Sequence, residues 1–281
     1  MRIQVETTQY DREEHIFTAF LDPYMKFSSG LFSSHETSFE NSVIEMLDFL
    51  LDSAQISNGA RVLEIGTGWG CLIKRLKERF PHATYTGVSP SAAQITYVRE
   101  HVDQQAPIHV CAFELAEVQG PFDAIFLSGT FCHLQDKFLQ LERIFNLLAE
   151  GGRLIIEDSF FRSRQAMEVL RECSARGEVQ TAMFGWAELM PLSSLLDISE
   201  SIGFHLVSCR DFTDDYERTG KEWIRRLAKS ALSYPAKKDM LFYLRLANNG
   251  WHRNAYCYAL TFERPRRVDM PSVLELVNKE A

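Results

Sequence analysis

Arg61-Val-Leu-Glu-Ile-Gly-Thr-Gly-Trp-Gly-Cys71 decides the fold of this 281-residue chain. Val62, Leu63 and Ile65 form a short aliphatic and β-branched run that reads as a buried strand. Leu72, Ile73, Leu76 and Phe80 then recur at three- and four-residue spacing, the mark of an amphipathic helix. Between them Gly66 and Gly68 let the backbone turn sharply and approach a ligand closely, as no residue with a Cβ does. A dinucleotide fingerprint places its third glycine at position 71, where this chain has cysteine. The Gly-x-Gly-x-Gly spacing therefore favours a nucleoside without a pyrophosphate, such as S-adenosylmethionine, over NAD. A plain tight turn is the simpler reading of the same residues.

Working outward, strand and helix alternate, the pattern of a parallel sheet covered on both faces. Strands are expected near 61–65, 84–88, 107–113, 122–128, 153–157, 205–212 and 254–263, and helices near 71–80, 90–102 and 137–149. Gly151-Gly152 reads as the stop of the last of these helices. Seven strands suit the Rossmann-like α/β sheet of methyltransferases, whose last strand runs antiparallel. Residues 1–57 read as an N-terminal helical cap segment, with a helix carrying Val43, Met46, Leu47, Leu50 and Leu51. Residues 58–265 form the core, and 266–281 a C-terminal tail. Two insertions, near 161–203 and 216–250, interrupt the alternation and are expected to roof the ligand crevice.

Composition narrows the class. With 46% hydrophobic and 24% charged residues the chain can bury a substantial core. A net charge of -8 argues against a nucleic-acid partner. The N-terminus has no apolar signal core, and no apolar run approaches the ~18 residues of a membrane span, so a cytoplasmic protein without an integral membrane segment is expected. The six cysteines are scattered, with no Cys-x-x-Cys pair and no histidine cluster at metal spacing; reduced thiols and no metal are expected.

About 20 residues past the glycines, a Rossmann strand usually presents an acid to ribose hydroxyls. Here the stretch reads Gly87-Val-Ser-Pro-Ser-Ala-Ala-Gln94, without a carboxylate. Ser89 and Pro90 form a good N-cap and first-turn pair. With Gln94 one turn on, hydroxyl, backbone amide and side-chain amide are the available substitutes for the acid. An ordinary capped helix is the alternative.

Together with Tyr10-Asp11 and Phe20-Leu-Asp-Pro-Tyr-Met-Lys-Phe-Ser-Ser-Gly-Leu-Phe32, these segments resemble the cyclopropane fatty acid synthase branch of class I S-adenosylmethionine-dependent methyltransferases. That branch also holds mycolic acid modifying enzymes and coclaurine-type N-methyltransferases. The resemblance runs from about residue 9 to 265. It implies that Phe27 and Ser28 close over the methionyl end of the cofactor, phenylalanine standing where the family has tyrosine. It assigns Gly66 and Gly68 to the cofactor backbone, Ser89, Pro90 and Gln94 to ribose and adenosine, and Phe113 and Glu114 to adenine. An aromatic face with an adjacent acceptor suits a ring that needs stacking and an amino-group partner.

Chemistry is expected after the fourth strand, at Leu127-Ser-Gly-Thr-Phe-Cys-His-Leu134. The family commonly reads Phe-Glu-His there; this chain keeps His133 and has Cys132 instead of glutamate. Cyclopropanating members hold a bicarbonate base with a Cys, that Glu, a His and a Tyr, whose counterparts are Ser29, Cys132, Glu157 and Tyr243. Three of the four have changed. A carboxylate at Glu157, with Asp158 beside it, repels an anion by about 4 kcal/mol per pair at ~4 Å and a surface dielectric. Bicarbonate-dependent cyclopropanation is accordingly disfavoured.

His133, with an ordinary pKa near neutrality, is the candidate general base, with Glu157 and Tyr243 as its catalytic companions. Glu157 and Asp158 are placed to orient the imidazole or hold a cationic amine; a strand-end cap is their plainer reading. Tyr24, Cys132, Asp158, Trp186 and Glu188 are expected at the acceptor. Phe184, Trp186, Phe242, Tyr243 and Trp251 read most simply as helix-packing core, a minority lining the acceptor pocket. The leading reading is methyl transfer from S-adenosylmethionine to a partly hydrophobic small molecule at carbon, nitrogen or oxygen. Modification of unsaturated acyl lipids is the second reading. A non-catalytic or cyclase use of the fold is the third.

Overall fold

The computed structural model describes residues 14–172 and 187–266. The N-terminal part contains α1 (Glu14–Thr18) and α2 (Phe39–Ala54). The alternating part follows as β1 (Arg61–Ile65), α3 (Cys71–Arg79), β2 (Thr84–Ser89), α4 (Ala92–His101), β3 (Ile108–Val110), β4 (Phe122–Ser128), α5 (Lys137–Leu147) and β5 (Leu148–Phe161). Beyond it come α6 (Arg164–Glu172), α7 (Leu192–Ile202), β6 (His205–Asp211), α8 (Thr213–Lys229), α9 (Tyr234–Asn248) and β7 (Ala255–Glu263). Two single-turn 3₁₀ helices, Phe113–Leu115 and Phe131–His133, follow β3 and β4.

The seven strands make one sheet in the order β3-β2-β1-β4-β5-β7-β6. β1 to β5 are parallel, and β7 is antiparallel to both β5 and β6. The order reverses between β1 and β4, which opens a crevice beyond their C-terminal ends. Because side chains alternate along a strand, the sheet has two apolar faces. Val62, Ala124, Phe126 and Ile155 pack with Val43, Met46, Leu47 and Leu50 of α2 and with Trp223 and Leu244 of α8 and α9. Leu63, Ile65, Ile125, Leu154 and Ile156 pack on the other face with Leu141 and Ile144 of α5 and Leu195 of α7. Each buried Val, Leu, Ile, Met or Phe side chain among them contributes about 1.5–3 kcal/mol.

Several boundaries differ from the sequence expectation. β5 is longer, because β7 pairs with it from Arg153 to Phe161. α5 ends at Leu147 and passes directly into β5, so Gly151-Gly152 is not its stop; Gly151 N–H donates instead to the Arg264 carbonyl at 2.7 Å, beyond the end of β7. Phe242 is not core: it is 65% exposed on the outer face of α9.

The two insertions behave differently. α7 packs on α5 and the sheet through Leu195. α8 is tied to the entry segment: Gly30 N–H donates to Thr219 Oγ1 at 3.0 Å, Phe32 N–H to Asp215 Oδ1 at 2.7 Å, and Arg218 to the Ser34 carbonyl at 3.1 Å. Phe17, Phe20, Phe27 and Trp223 interlock across that contact, with ring centroids 5.2–6.0 Å apart. Among the described residues no helix is long and apolar enough to cross a membrane, and the five cysteines are free thiols.

Candidate active site

The crevice beyond β1 and β4 holds a cavity of about 170 Å³. Gly66 N–H donates to the Val88 carbonyl at 2.7 Å, which bends the chain off β1. Gly66 and Gly68 then take φ of 87° and 54°, the left-handed region that glycine enters without strain. A Cβ on Gly66 would fall 2.0 Å from Thr130 Oγ1, so the turns after β1 and β4 touch there. A Cβ on Gly68 would meet nothing closer than the Gly66 carbonyl at 4.0 Å; its requirement comes from the backbone angle and from the cavity it faces.

Phe27, Ser28, Gly66, Gly68, Ser89, Pro90, Gln94, Phe113 and Glu114 all line this cavity, and so does His133. Phe113 is held by Arg143, whose guanidinium lies 4.3 Å from the ring centroid and whose Nη1 donates to the Phe113 carbonyl at 2.6 Å. Glu114 Oε1 accepts the Gln135 N–H at 2.8 Å, joining the turn after β3 to that after β4. One local expectation needs correction: the cap of α4 is Ser91, which accepts the Gln94 N–H at 3.3 Å. Ser89 is still in the ladder, paired with Val110, so the helix cannot start before Pro90 is passed.

Four further groups escaped the sequence reading. Glu64, one residue before the end of β1, lines the cavity while buried. Burial pushes its carboxyl up to about 8, against the opposing Tyr85 Oη–H, which donates to it at 2.5 Å. A lone acid in an otherwise apolar strand was the available signal. Trp69, inside the glycine turn, also lines the cavity, and its Nε1 finds no hydrogen-bond partner among the described residues. Ser128, at the end of β4, lines it as well. The fourth is Lys26.

Glu157 lies behind the cavity wall, where Lys26 Nζ meets it at 2.9 Å with both side chains 1% exposed. The carboxylate expected to stand uncompensated is therefore neutralised, and the simple anion-repulsion argument fails. Asp22 sets this up: its carboxylate accepts the N–H groups of Tyr24 at 2.6 Å and Lys26 at 3.1 Å, forming a turn with Met25 at φ 58°. The turn sends Lys26 inward and Tyr24 outward. Tyr24 thus does not reach the cavity; its Oη donates to Glu78 at 2.6 Å and its ring carries Lys74 Nζ at 4.5 Å from the centroid.

Asp158 faces the other side of β5, as the next residue must. Its Oδ2 accepts the Cys132 N–H at 3.0 Å, which fixes the 3₁₀ turn bearing His133. Burial raises the Asp158 carboxyl; the backbone donors and then the charges of His133 and Lys137 pull it back. The Cys132 thiol is pushed well up, by burial first and then by Asp158, so it stays protonated. Cys132 does not itself line the cavity. Glu188 is half exposed; its N–H donates to the Cys132 carbonyl at 2.9 Å and its carboxylate lies 4.0 Å from Lys137 Nζ. Tyr243 packs against the apolar cluster of α8 and α9 rather than on the cavity, and burial pushes its phenol up. Trp186, Phe184 and Tyr10-Asp11 lie outside the described residues. Asp214 and Glu217 of α8 and the sequence-distant His252 bring ligand atoms within 4.8 Å of one another near the surface, where His252 Nε2 meets Asp214 at 2.9 Å.

The strand order β3-β2-β1-β4-β5-β7-β6 with β7 antiparallel, the glycine turn and the cavity at the switch point together fit a class I S-adenosylmethionine-dependent methyltransferase. A sequence profile described as mycolic acid cyclopropane synthetase matches residues 2–245, and the chain belongs to that family. It is 24% identical over 255 residues to cyclopropane mycolic acid synthase 2 of Mycobacterium leprae, a match covering 84% of this chain and 81% of the relative. It is 26% identical over 140 residues to pavine N-methyltransferase of Thalictrum flavum subsp. glaucum, covering 47% of this chain and 38% of that enzyme. The matched region thus spans well under half of that plant relative. A cyclopropane synthase from Mycobacterium tuberculosis superposes with a TM-score of 0.82 at 20% identity, covering 92% of this chain and 96% of that one. Coclaurine N-methyltransferase bound to N-methylheliamine and S-adenosylhomocysteine gives 0.79 at 18% identity, covering 94% and 84%. S-adenosylmethionine is the cofactor of this group, and the cavity fits it: close backbone at Gly66 and Gly68, an aromatic face at Phe113, and acceptor groups at both ends.

Proposed function

We propose that this protein methylates a partly hydrophobic small molecule at a carbon, nitrogen or oxygen nucleophile, with His133 as the general base. When bound, S-adenosylmethionine supplies a methyl group on a sulfonium, an electrophile that needs alignment more than activation. The chain's own part is then to hold two reactants in line, keep water out and take up a proton. The observation that carries the reading is that His133 lines the same cavity as the glycine turn and the Phe113–Glu114 pair. Asp158 supports it, because its carboxylate holds the Cys132 N–H and thereby the turn on which the imidazole sits. Glu188, half exposed and tied by its N–H to the Cys132 carbonyl, is the group we assign to acceptor contact.

Formation of S-adenosylhomocysteine across a panel of amines, phenols and enolisable carbon acids tests the reading. With an acceptor in hand, His133→Ala should lower turnover by about 10²–10⁴-fold and leave cofactor affinity unchanged. Near wild-type turnover would make the histidine structural.

The second reading, methylene or methyl addition to an unsaturated acyl chain, gains from Lys26, which removes the electrostatic objection to a carboxylate at position 157. Against it stands the occupation of that carboxylate by Lys26, Ser29 and Ser128, which leaves little there for an external base. Lipid analysis after expression decides: a mass gain of one methylene on unsaturated chains would promote this reading over the first.

A further inference from the structure

Lys26, Ser28, Ser128 and Glu157 form a closed ring of hydrogen bonds behind one wall of the cavity, and the direction of its protons is fixed. The Lys26 ammonium can only donate. It gives its three hydrogens to Ser28 Oγ, to the Ser29 carbonyl at 2.9 Å and to Glu157 Oε2 at 2.9 Å. The Glu157 carboxylate can only accept, and it takes Ser128 Oγ–H at 2.5 Å and Ser29 N–H at 3.1 Å. Ser28 Oγ, already accepting from Lys26, has one proton to give. Its partners are Ser128 Oγ at 3.1 Å and Glu157 Oε2 at 3.3 Å, both within the ring. Whichever it takes, both hydroxyl protons are committed inward. Ser28 and Ser128 also line the cavity, so what they turn toward a ligand is lone pairs.

We infer that Lys26 is a positioning residue which, by fixing this ring, makes the Ser28–Ser128 wall an acceptor-only surface that selects a ligand ammonium. A ligand carboxylate or carbonyl oxygen against the same wall would meet lone pairs with no proton to receive, and such an unmatched contact is costly once water is excluded. An ammonium meets the remaining lone pairs of two hydroxyl oxygens, in front of an ion pair whose charges offset each other. The ammonium has two possible sources: the amino-acid end of the cofactor, or an amine acceptor.

Calorimetry on Ser128→Ala separates them. The variant removes one acceptor and leaves the Lys26–Glu157 pair in place. S-adenosylhomocysteine carries the ammonium; 5′-methylthioadenosine shares the nucleoside but lacks the amino-acid end. If the cofactor supplies the group, the variant loses about ten-fold or more in affinity for S-adenosylhomocysteine and stays within about two-fold for 5′-methylthioadenosine, the effect of one charged hydrogen bond. If an acceptor supplies it, both nucleosides bind as before, and benzylamine binding to protein saturated with S-adenosylhomocysteine weakens about ten-fold instead. No change in any of the three overturns the acceptor-only wall. The part played by Lys26 is read in Lys26→Met combined with Glu157→Gln, a neutral pair that can fold even where Lys26→Met alone does not. Its amide can donate to Ser128 and free the hydroxyl protons, so it should reproduce the Ser128→Ala loss with 5′-methylthioadenosine unaffected. Wild-type discrimination in the double variant would sink the assignment of Lys26.

Discussion

The two ends of the cavity are built by different means. At the β1–β2 end the ligand surface is mostly backbone, shaped by Gly66 and Gly68 and by the start of α4, with contributing residues drawn from two short stretches. At the β4–β5 end it is side chains whose support is buried and remote in sequence: Lys26 and Glu157 are 131 residues apart. Backbone geometry tolerates sequence drift as long as the glycines remain. An ion pair sealed from water does not, since either partner alone is worse than neither. A carboxylate buried at position 157 therefore needs a cation beside it, and Lys26 is that cation.

The sharpest test of that contrast is Lys26→Met. It leaves the Glu157 carboxylate buried without its counter-charge and should cost about 3–5 kcal/mol of stability, read as a shift of the urea midpoint. A loss under about 1 kcal/mol would mean that the pair is hydrated and that the two ends are less different than they look. Next in size is Gly68→Val at the other end. A β-branched residue at φ 54° is strained, and its side chain would enter the cavity. Binding of S-adenosylhomocysteine should weaken by more than about 100-fold with cooperative unfolding retained. Unchanged affinity in the folded variant would remove the glycine turn from the binding surface.

Glu64 offers a pH handle at the first end. Its folded-state carboxyl is raised to about 8 from an ordinary value of 4.5, so the unfolded chain releases this proton first as pH rises. Its contribution to stability is full below about pH 4.5 and is lost on the way to pH 8, with a slope of at most about 1.4 kcal/mol per pH unit. Glu64→Gln should flatten that slope in denaturant titrations across the interval, and an equal slope in the variant would assign it to other groups. The smallest effect expected is that of Tyr24→Phe. Removing the surface hydrogen bond to Glu78 should cost below about 1 kcal/mol and leave cofactor affinity within two-fold. A ten-fold loss of affinity would return Tyr24 to the site.

This division also explains what was legible in the sequence. β1, its glycine turn and α3 are contiguous, and period-two and period-3.6 patterns name them directly. Phe113, Glu114 and His133 sit at strand ends that the alternation locates, so their arrival at one crevice follows from the topology. The boundaries missed were tertiary: β5 extends because β7 lies against it, and Ser91 caps α4 because Ser89 is held by Val110. Lys26 was invisible for a different reason. A lysine between Met25 and Phe27 looks like a surface residue, and only the Asp22 turn and a carboxylate on a distant strand make it a buried one.

Among the described residues β6 is hydrogen-bonded on one side only, to β7, and β7 follows it by a helical hairpin of two long elements. During synthesis from the N-terminus the parallel part, β1 to β5, can assemble as soon as it emerges. β6 emerges before β7, the strand it pairs with, has been made. All seven of its residues are solvent-exposed in the finished fold, Leu206 and Val207 among them. The waiting strand is therefore an open edge for as long as α8, α9 and β7 take to appear, and at roughly 5–20 residues per second that is a matter of seconds. Slower elongation between residues 212 and 255 should lengthen that interval and lower the soluble yield without changing the native protein at all.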